Sequence, residues 1–294
     1  MCTSLHHVDM SILAGGSPTP DPAASALWQD VPEVPPVGTV GVGVIVPYDF
    51  ALDRELWRWV PESVTLHATR TPWAPLPVSL EQASVVGDPH AVTRCTQDLI
   101  TVHPDVVAYA CTSGSFIGGV GGEAALAAAM VASGAPRAVT TSGALVQALH
   151  HLGVSRVAIV TPYNEMISLA LSAFLAEAGI VSTGMRHLGL ESHIWHVPYA
   201  ATIDLARRAF TPDCEAVFIS CTNLATYDLI APLEAELGVP VVTANQVTMW
   251  AALRSAGVAA VGPGQRLLAG EGWASTTPPE TVVDLPVALT QEAG

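Results

Sequence analysis

Lysine is absent from this 294-residue chain; its 11 Lys and Arg positions are all arginine. That excludes an internal Schiff-base lysine, covalent pyridoxal phosphate with it, and the lysine of a phosphate-binding P-loop. Cations are scarce altogether. Against 26 Asp and Glu the formal net charge is −15. No basic field is left to displace counterions from a phosphate backbone, so no nucleic-acid partner is expected. No apolar run reaches the roughly 18 residues of a membrane span, so no membrane partner is expected either. Residues 1–16 lack a basic n-region and a long apolar h-region, which argues against a secretory leader. Cysteine is sparse and odd in number, at positions 2, 95, 111, 214 and 221, with no CxxC pair. A disulfide framework or zinc knuckle does not follow, and a reduced, cytoplasmic setting does. His193 and His196 are the nearest approach to metal spacing and lack a third ligand, so no metal site is predicted.

What is present is apolar: 50% of residues are hydrophobic and only 13% charged. At about 150 residues per domain the length suggests two lobes. Residues 1–37 are rich in Pro, Ala, Ser and Gly without sustained periodicity and read as a flexible Pro-rich N-terminal extension. A C-terminal tail is expected over 259–294. Between them, short apolar runs at Val40–Val46, Val106–Ala110, Ala138–Thr140, Val157–Val160, Ala216–Ser220 and Val239–Thr243 read as buried strands. Helical patterns alternate with them at His90–Thr101, Gly122–Ala132, Ala144–His151, Glu165–Ala178, Thr202–Phe210, Asp228–Glu236 and Val247–Ala256. Alternation of this kind predicts an α/β fold with doubly wound parallel sheets.

The core also repeats. Val44-Ile45-Val46-Pro47-Tyr48 matches Ile159-Val160-Thr161-Pro162-Tyr163, and Ala108-Tyr109-Ala110-Cys111-Thr112 matches Phe218-Ile219-Ser220-Cys221-Thr222. Ala135-Pro136 with a helix ending Leu152-Gly153-Val154 matches Val239-Pro240 with one ending Ala256-Gly257-Val258. Three landmarks in one order predict two pseudo-symmetric lobes, 38–153 and 154–258, with an active-site cleft between them and the last helix packed on the first lobe.

Ligands of open parallel sheets bind beyond the carboxyl ends of the strands. Cys111 and Cys221 each follow a predicted strand directly. Each is trailed by small polar residues, Thr112-Ser113-Gly114-Ser115 and Thr222-Asn223, whose N–H and O–H groups suit an anion and favour a thiolate. Either cysteine alone reads as an apolar filler; the pair at repeat-equivalent positions reads as chemistry. Cys2, Cys95 and Cys214 do not share that placement. Tyr163 sits at another strand end, where its hydroxyl suits a carboxylate, and Tyr48 at the matching turn lines the pocket. Asp49 reads as the cap of a helix over Ala51–Val60. Trp57-Arg58-Trp59 reads as helix packing. Gly118–Gly122 lacks the strand context of a dinucleotide loop and reads as a flexible turn over the cleft.

In that order, the Val-Pro-Tyr turn, Ala-Cys-Thr-Ser-Gly-Ser, Val-Thr-Pro-Tyr and Ser-Cys-Thr-Asn-Leu resemble the aspartate/glutamate racemase superfamily, closest to its maleate cis-trans isomerase and arylmalonate decarboxylase branch. The resemblance covers about residues 38–260. It implies two cysteines facing across a cleft, with no metal or organic cofactor and a small carboxylate as the partner; it is compatible with a homo-oligomer. In racemases of this type one cysteine removes a proton beside a carboxylate and the other returns one. In maleate isomerases the first-lobe cysteine adds to the alkene. In arylmalonate decarboxylase only the second-lobe cysteine is kept, and glycine replaces the first. Carried over, Cys111 and Cys221 are the catalytic pair, and Tyr48, Thr112, Ser113, Tyr163, Thr222 and Asn223 bind the substrate. Maleate isomerases carry an asparagine in the first turn, where this chain has Tyr48-Asp49-Phe50, and another where it has Ser168. The resemblance therefore implies an isomerase or racemase of a small carboxylate or dicarboxylate. The alternatives are an arylmalonate-type decarboxylase with Cys221 as proton donor, and a carboxylate-binding protein without catalysis.

Overall fold

A computed structural model describes residues 38–269. The extension expected over 1–37, and residues 270–294 of the tail expected over 259–294, lie outside the described residues; residues 259–269 of that tail are instead packed on the fold, with Gln265 and Leu267 buried. Eight strands form two four-stranded parallel sheets. The first contains β1 (Val40–Val46), β2 (Val64–Arg70), β3 (Val106–Tyr109) and β4 (Ala138–Thr140), in the order β2-β1-β3-β4. The second contains β5 (Arg156–Thr161), β6 (Val181–His187), β7 (Ala216–Ile219) and β8 (Val241–Thr243), in the order β6-β5-β7-β8. The two orders are the same path taken twice, which is the pseudo-symmetry the repeat implied.

Covered faces explain the inner strands. β1, β3, β5 and β7 are β-branched and almost wholly buried, the pattern of a parallel sheet with helices on both sides. Gly43 in β1 lets a helix approach closely, since a Cβ there would lie 3.2 Å from Leu99 Cδ1. The edge strands β2 and β6 lack the apolar runs of the inner four. Their Val-Thr-Leu-His-Ala-Thr-Arg and Val-Ser-Thr-Gly-Met-Arg-His sequences are half-exposed and mix polar with apolar residues. Only pairing with β1 and β5 makes them strands.

The helices are α1 (Asp53–Leu56), α2 (Leu80–Val86), α3 (Pro89–Ile100), α4 (Thr112–Phe116), α5 (Gly119–Ala132), α6 (Thr141–His151), α7 (Glu165–Glu177), α8 (Tyr199–Ala209), α9 (Ile230–Leu237) and α10 (Ala244–Ser255). Their starts are written in side chains. Ser79, Thr140 and Asn164 accept N–H groups of α2, α6 and α7, and Asp88 with Pro89 opens α3. Thr243 and Gln246 form a capping box on α10. Each such cap is worth about 1 kcal/mol.

Two local expectations are corrected. The glycines from Gly119 to Gly122 are the first turn of α5 rather than a flexible turn, because packing of the long alanine-rich helix outweighs glycine's poor propensity. The helix expected over Ala51–Val60 is one α-turn followed by a 3-10 turn, Trp57–Trp59, with Trp59 buried and Trp57 half exposed. Trp59 donates its indole N–H to Gln265 Oε1 at 2.9 Å. Helix α10 lies against α6, where the Thr141 and Thr248 hydroxyls meet at 2.8 Å. Among the described residues no helix is long and apolar enough to cross a membrane.

Candidate active site

The strand order reverses between β1 and β3, and again between β5 and β7. At such switch points adjacent loops leave in opposite directions and open a crevice beyond the carboxyl ends. Tyr48 and Asp49 follow β1, Cys111 follows β3, Tyr163 follows β5, and Cys221 follows β7. The thiols are close enough that ionisation of Cys111 opposes ionisation of Cys221. Both are buried, at 3% and 7% exposure.

The two cysteines differ in backbone. Cys111 is extended, with φ −141°, and caps the short helix α4. Cys221 has φ +90°, a conformation that L residues adopt at a cost of about 1–3 kcal/mol and that persists only where neighbours enforce it. No helix follows Cys221 directly, as the matched sequences would suggest; a turn does, closed by Leu224 N–H on the Cys221 carbonyl at 3.2 Å.

Burial sets the thiol acidities first. It pushes Cys221 up to about 12, against hydrogen bonding from the Tyr163 hydroxyl and the Asn223 N–H, which lies 3.4 Å from the sulfur. It raises Cys111 as well, against the Gly114 N–H and the Ser113 hydroxyl, whose Oγ lies 4.0 Å from the sulfur. Tyr163 itself is buried, and its hydroxyl is held well above the ordinary phenol range by burial and by the Cys221 charge. At neutral pH Cys221 is therefore a thiol with a proton to give.

The remaining predicted residues fall into two groups. Thr112 is 1% exposed, and its hydroxyl has no partner. A buried orphan of this kind beside a thiol is what a bound oxyanion completes. Ser113 and Thr222 are buried, one two residues after Cys111 and the other directly after Cys221. Tyr48 reaches across to the Leu76 carbonyl at 3.4 Å. That contact fastens the segment 71–79, with Pro72, Pro75 and Pro77, which also joins the second sheet's side through Val78 N–H on the Glu191 carbonyl at 2.8 Å. Asn223 has its side chain fully engaged. Its Oδ1 accepts the Ala51 N–H at 2.8 Å and its Nδ2 donates to the Asp49 carbonyl at 3.1 Å. Its amide thus ties the Cys221 turn to the Asp49 turn.

Asp49 is not a helix cap: α1 is preceded by Leu52 and has no side-chain cap. The Asp49 turn is braced by Arg70, whose Nη1 donates to the carbonyls of Tyr48 at 3.1 Å and Phe50 at 2.8 Å. Its carboxyl is raised by burial, and its charge in turn raises both Cys111 and Cys221. An Asp before a helical pattern usually caps it; here the helix starts too late for that. Asp49→Asn is expected to lower both thiol pKa values, since a nearby anion disfavours a thiolate. The pH dependence of iodoacetamide labelling, mapped by peptide, measures it; unchanged profiles for both thiols would remove Asp49 from the site.

Two further residues hold the cysteine turns and escaped the sequence reading. Ser142 Oγ donates to the Thr112 carbonyl at 3.2 Å, and Asn245 Nδ2 donates to the Thr222 carbonyl at 2.9 Å. Each is the second residue of the helix after the next strand, α6 or α10. Each grips the carbonyl just after a cysteine. Pairing Thr140-Thr141-Ser142 with Thr243-Ala244-Asn245 in the repeat would have signalled them. Among the described residues no group of three or more His, Cys, Asp or Glu could hold a metal ion.

Two like α/β lobes with thiols ending equivalent strands define the architecture of the aspartate/glutamate racemase superfamily. A model of the arylmalonate decarboxylase family matches residues 81–269. The chain belongs to that family, on the branch that also holds the maleate isomerases. It is 42% identical over 157 residues to arylmalonate decarboxylase of Bordetella bronchiseptica, covering 52% of this chain and 65%, under two thirds, of that relative. A liganded arylmalonate decarboxylase double mutant, with a glycine changed to cysteine and a cysteine to serine, superposes with a TM-score of 0.73 at 33% identity, covering 79% of this chain and 99% of that one. A Nocardia farcinica maleate cis-trans isomerase mutant with a covalently bound succinylcysteine intermediate superposes with a TM-score of 0.70 at 26% identity, covering 78% and 98%. These relatives are enzymes, and in the last a cysteine carries the intermediate.

Proposed function

We propose that the protein is a cofactor-independent isomerase or racemase of a small carboxylate or dicarboxylate, with Cys111 and Cys221 acting on opposite faces of the substrate. One observation carries this reading: two buried thiols end equivalent strands of two like sheets, at the rim where ligands of such sheets bind. Cys111, once ionised, takes a proton from the carbon beside a carboxylate or adds to an alkene. Cys221 holds the proton that is delivered to the other face. The enediolate that forms is held by neutral donors, the hydroxyls of Thr112, Ser113 and Thr222 among them, each worth roughly 3 kcal/mol in such a setting. A chain without lysine has no ammonium for this task. Because burial raises Cys111 above the ordinary thiol range and only its ionised form acts, the rate is expected to climb with pH from 7 to beyond 9, and to fall once Cys221, pushed up to about 12, loses its proton.

A second reading, decarboxylation of a malonate-like diacid with Cys221 as proton donor, is favoured by the family match and by the 42% identical relative. Assays in D₂O with maleate, a chiral 2-substituted carboxylate and an arylmalonate separate the readings. Isomerisation, or deuterium entering beside the carboxylate without carbon dioxide release, supports the first. Carbon dioxide release from the arylmalonate that survives Cys111→Gly replaces it with the second. Absence of turnover, together with thiols that label like ordinary ones at pH 7, reduces the protein to a carboxylate binder.

A further inference from the structure

Glu55 has no part in the scheme above, yet it is a carboxylate at 7% exposure inside the molecule. A buried carboxylate is costly unless its oxygens are satisfied. Those of Glu55 are satisfied by the other lobe. The residue belongs to α1, which follows β1 of the first sheet. Its Oε1 accepts from Thr226 Oγ1 at 2.9 Å, from Thr226 N–H at 3.2 Å and from Asn245 Nδ2 at 3.3 Å, and its Oε2 lies 3.1 Å from the same N–H. Thr226 lies five residues after Cys221 and passes the contact on, its hydroxyl lying 3.1 Å from that of Thr243. Asn245 is the residue that grips the Thr222 carbonyl, next to Cys221, and its own Oδ1 is buried without a partner.

The loop 221–226 needs such support. It begins with a non-glycine residue at φ +90° and has only one internal backbone bond of note, Leu224 N–H on the Cys221 carbonyl. Its near end is held through Asn245 and its far end through Thr226, and both holders converge on one carboxylate of the first lobe. Asn223 adds a second tie to the same stretch of chain, at Asp49 and Ala51. The second-lobe thiol is therefore set in place by a first-lobe segment, residues 49–55.

We infer that Glu55 is a positioning residue for Cys221: it fixes Thr226 and Asn245, and through them holds the Cys221 turn in its strained conformation facing the first lobe. Glu55 touches no reacting atom. The inference rests on the proposed two-thiol chemistry only in its activity arm; the labelling arm stands without it.

The test is Glu55→Gln in the full chain, with iodoacetamide labelling of each cysteine followed by peptide mass spectrometry across pH 7–10. Glutamine keeps the shape but presents an amide N–H where an oxygen received the Thr226 N–H. Freed from its turn, Cys221 moves toward ordinary thiol acidity, near 8.5. Its labelling at pH 8 is expected to rise at least about tenfold while that of Cys111 stays within about twofold. Turnover of whichever substrate the assay panel yields falls about tenfold or more, with KM within about twofold. General loosening of the fold would raise both thiols together. Wild-type labelling of Cys221, or an equal rise at Cys111, overturns the inference. Lost turnover with wild-type labelling also overturns it. Selective labelling of Cys221 in a protein that turns over nothing upholds it while the proposed function fails. Should Glu55→Gln not fold, Thr226→Ala, which removes only the hydroxyl donor, decides: a smaller Cys221-selective rise supports the inference, and no rise rejects it.

Discussion

Cys221→Ala is expected to abolish turnover, by about 10²–10⁴-fold, the range of a lost general acid or base, with substrate binding nearly unchanged. The argument is one of position and protonation. Cys221 is pushed up to about 12, and the Tyr163 hydroxyl and Asn223 N–H are arranged around its sulfur. Near neutral pH it carries a proton, and an alanine methyl offers none in its place. The variant leaves the Asn223 amide ties untouched, so the cleft keeps its geometry. Under both the isomerase and the decarboxylase readings the loss is full, which makes this the substitution that tests whether the thiol is chemical at all. Cys111→Ala separates the readings, because it stops the isomerase alone. Initial rates under saturating substrate, with the melting temperature as control, check both. Wild-type rates in Cys221→Ala would end the case for thiol catalysis.

Gly114→Ala is expected to lower the melting temperature and disable Cys111 together. Gly114 lies in α4 with ordinary helical backbone, so conformation is not the obstacle; space is. A Cβ there would run into the Tyr109 hydroxyl and come within 3.2 Å of Cys111 Sγ. Tyr109 cannot retreat, since it is fully buried and its hydroxyl donates to the Val86 carbonyl at 2.7 Å. Overpacking of this kind costs about 1–3 kcal/mol, which corresponds to a fall of about 2–10 °C in a domain of this size. The same methyl displaces the Gly114 N–H that opposes the upward push on Cys111. Thermal melts with peptide-mapped labelling check it. A melting temperature within 1 °C of wild type and unchanged Cys111 labelling would show that the turn has slack.

Part of this architecture was open to reading because it is repeated. β1, β3, β5 and β7 are runs of Val, Ile and Ala bounded by glycine and proline, and such runs are strands wherever helices cover both faces. The Cys-Thr and Pro-Tyr pairs fall at the ends of those runs, and a parallel sheet brings strand ends to one rim. The edge strands escaped because their stability comes from a neighbour's backbone rather than from their own side chains. Asp49 escaped for a related reason. A carboxylate ahead of a helical pattern usually caps it, and only the shortness of α1 and the Arg70 brace turn this one toward the thiols.

By itself, the sequence determined the α/β class, the two like lobes and the placement of a thiol at the end of an equivalent strand in each, since each depends on local periodicity or on a motif repeated in order. Tertiary structure alone decided which donors face the thiols, that burial raises both, and that residues 49–55 of one lobe hold the cysteine turn of the other. Asn223 and Glu55 meet partners some 170 positions away in the chain. Contacts at that separation leave no periodicity behind, because they arise only when two independently patterned lobes close on each other.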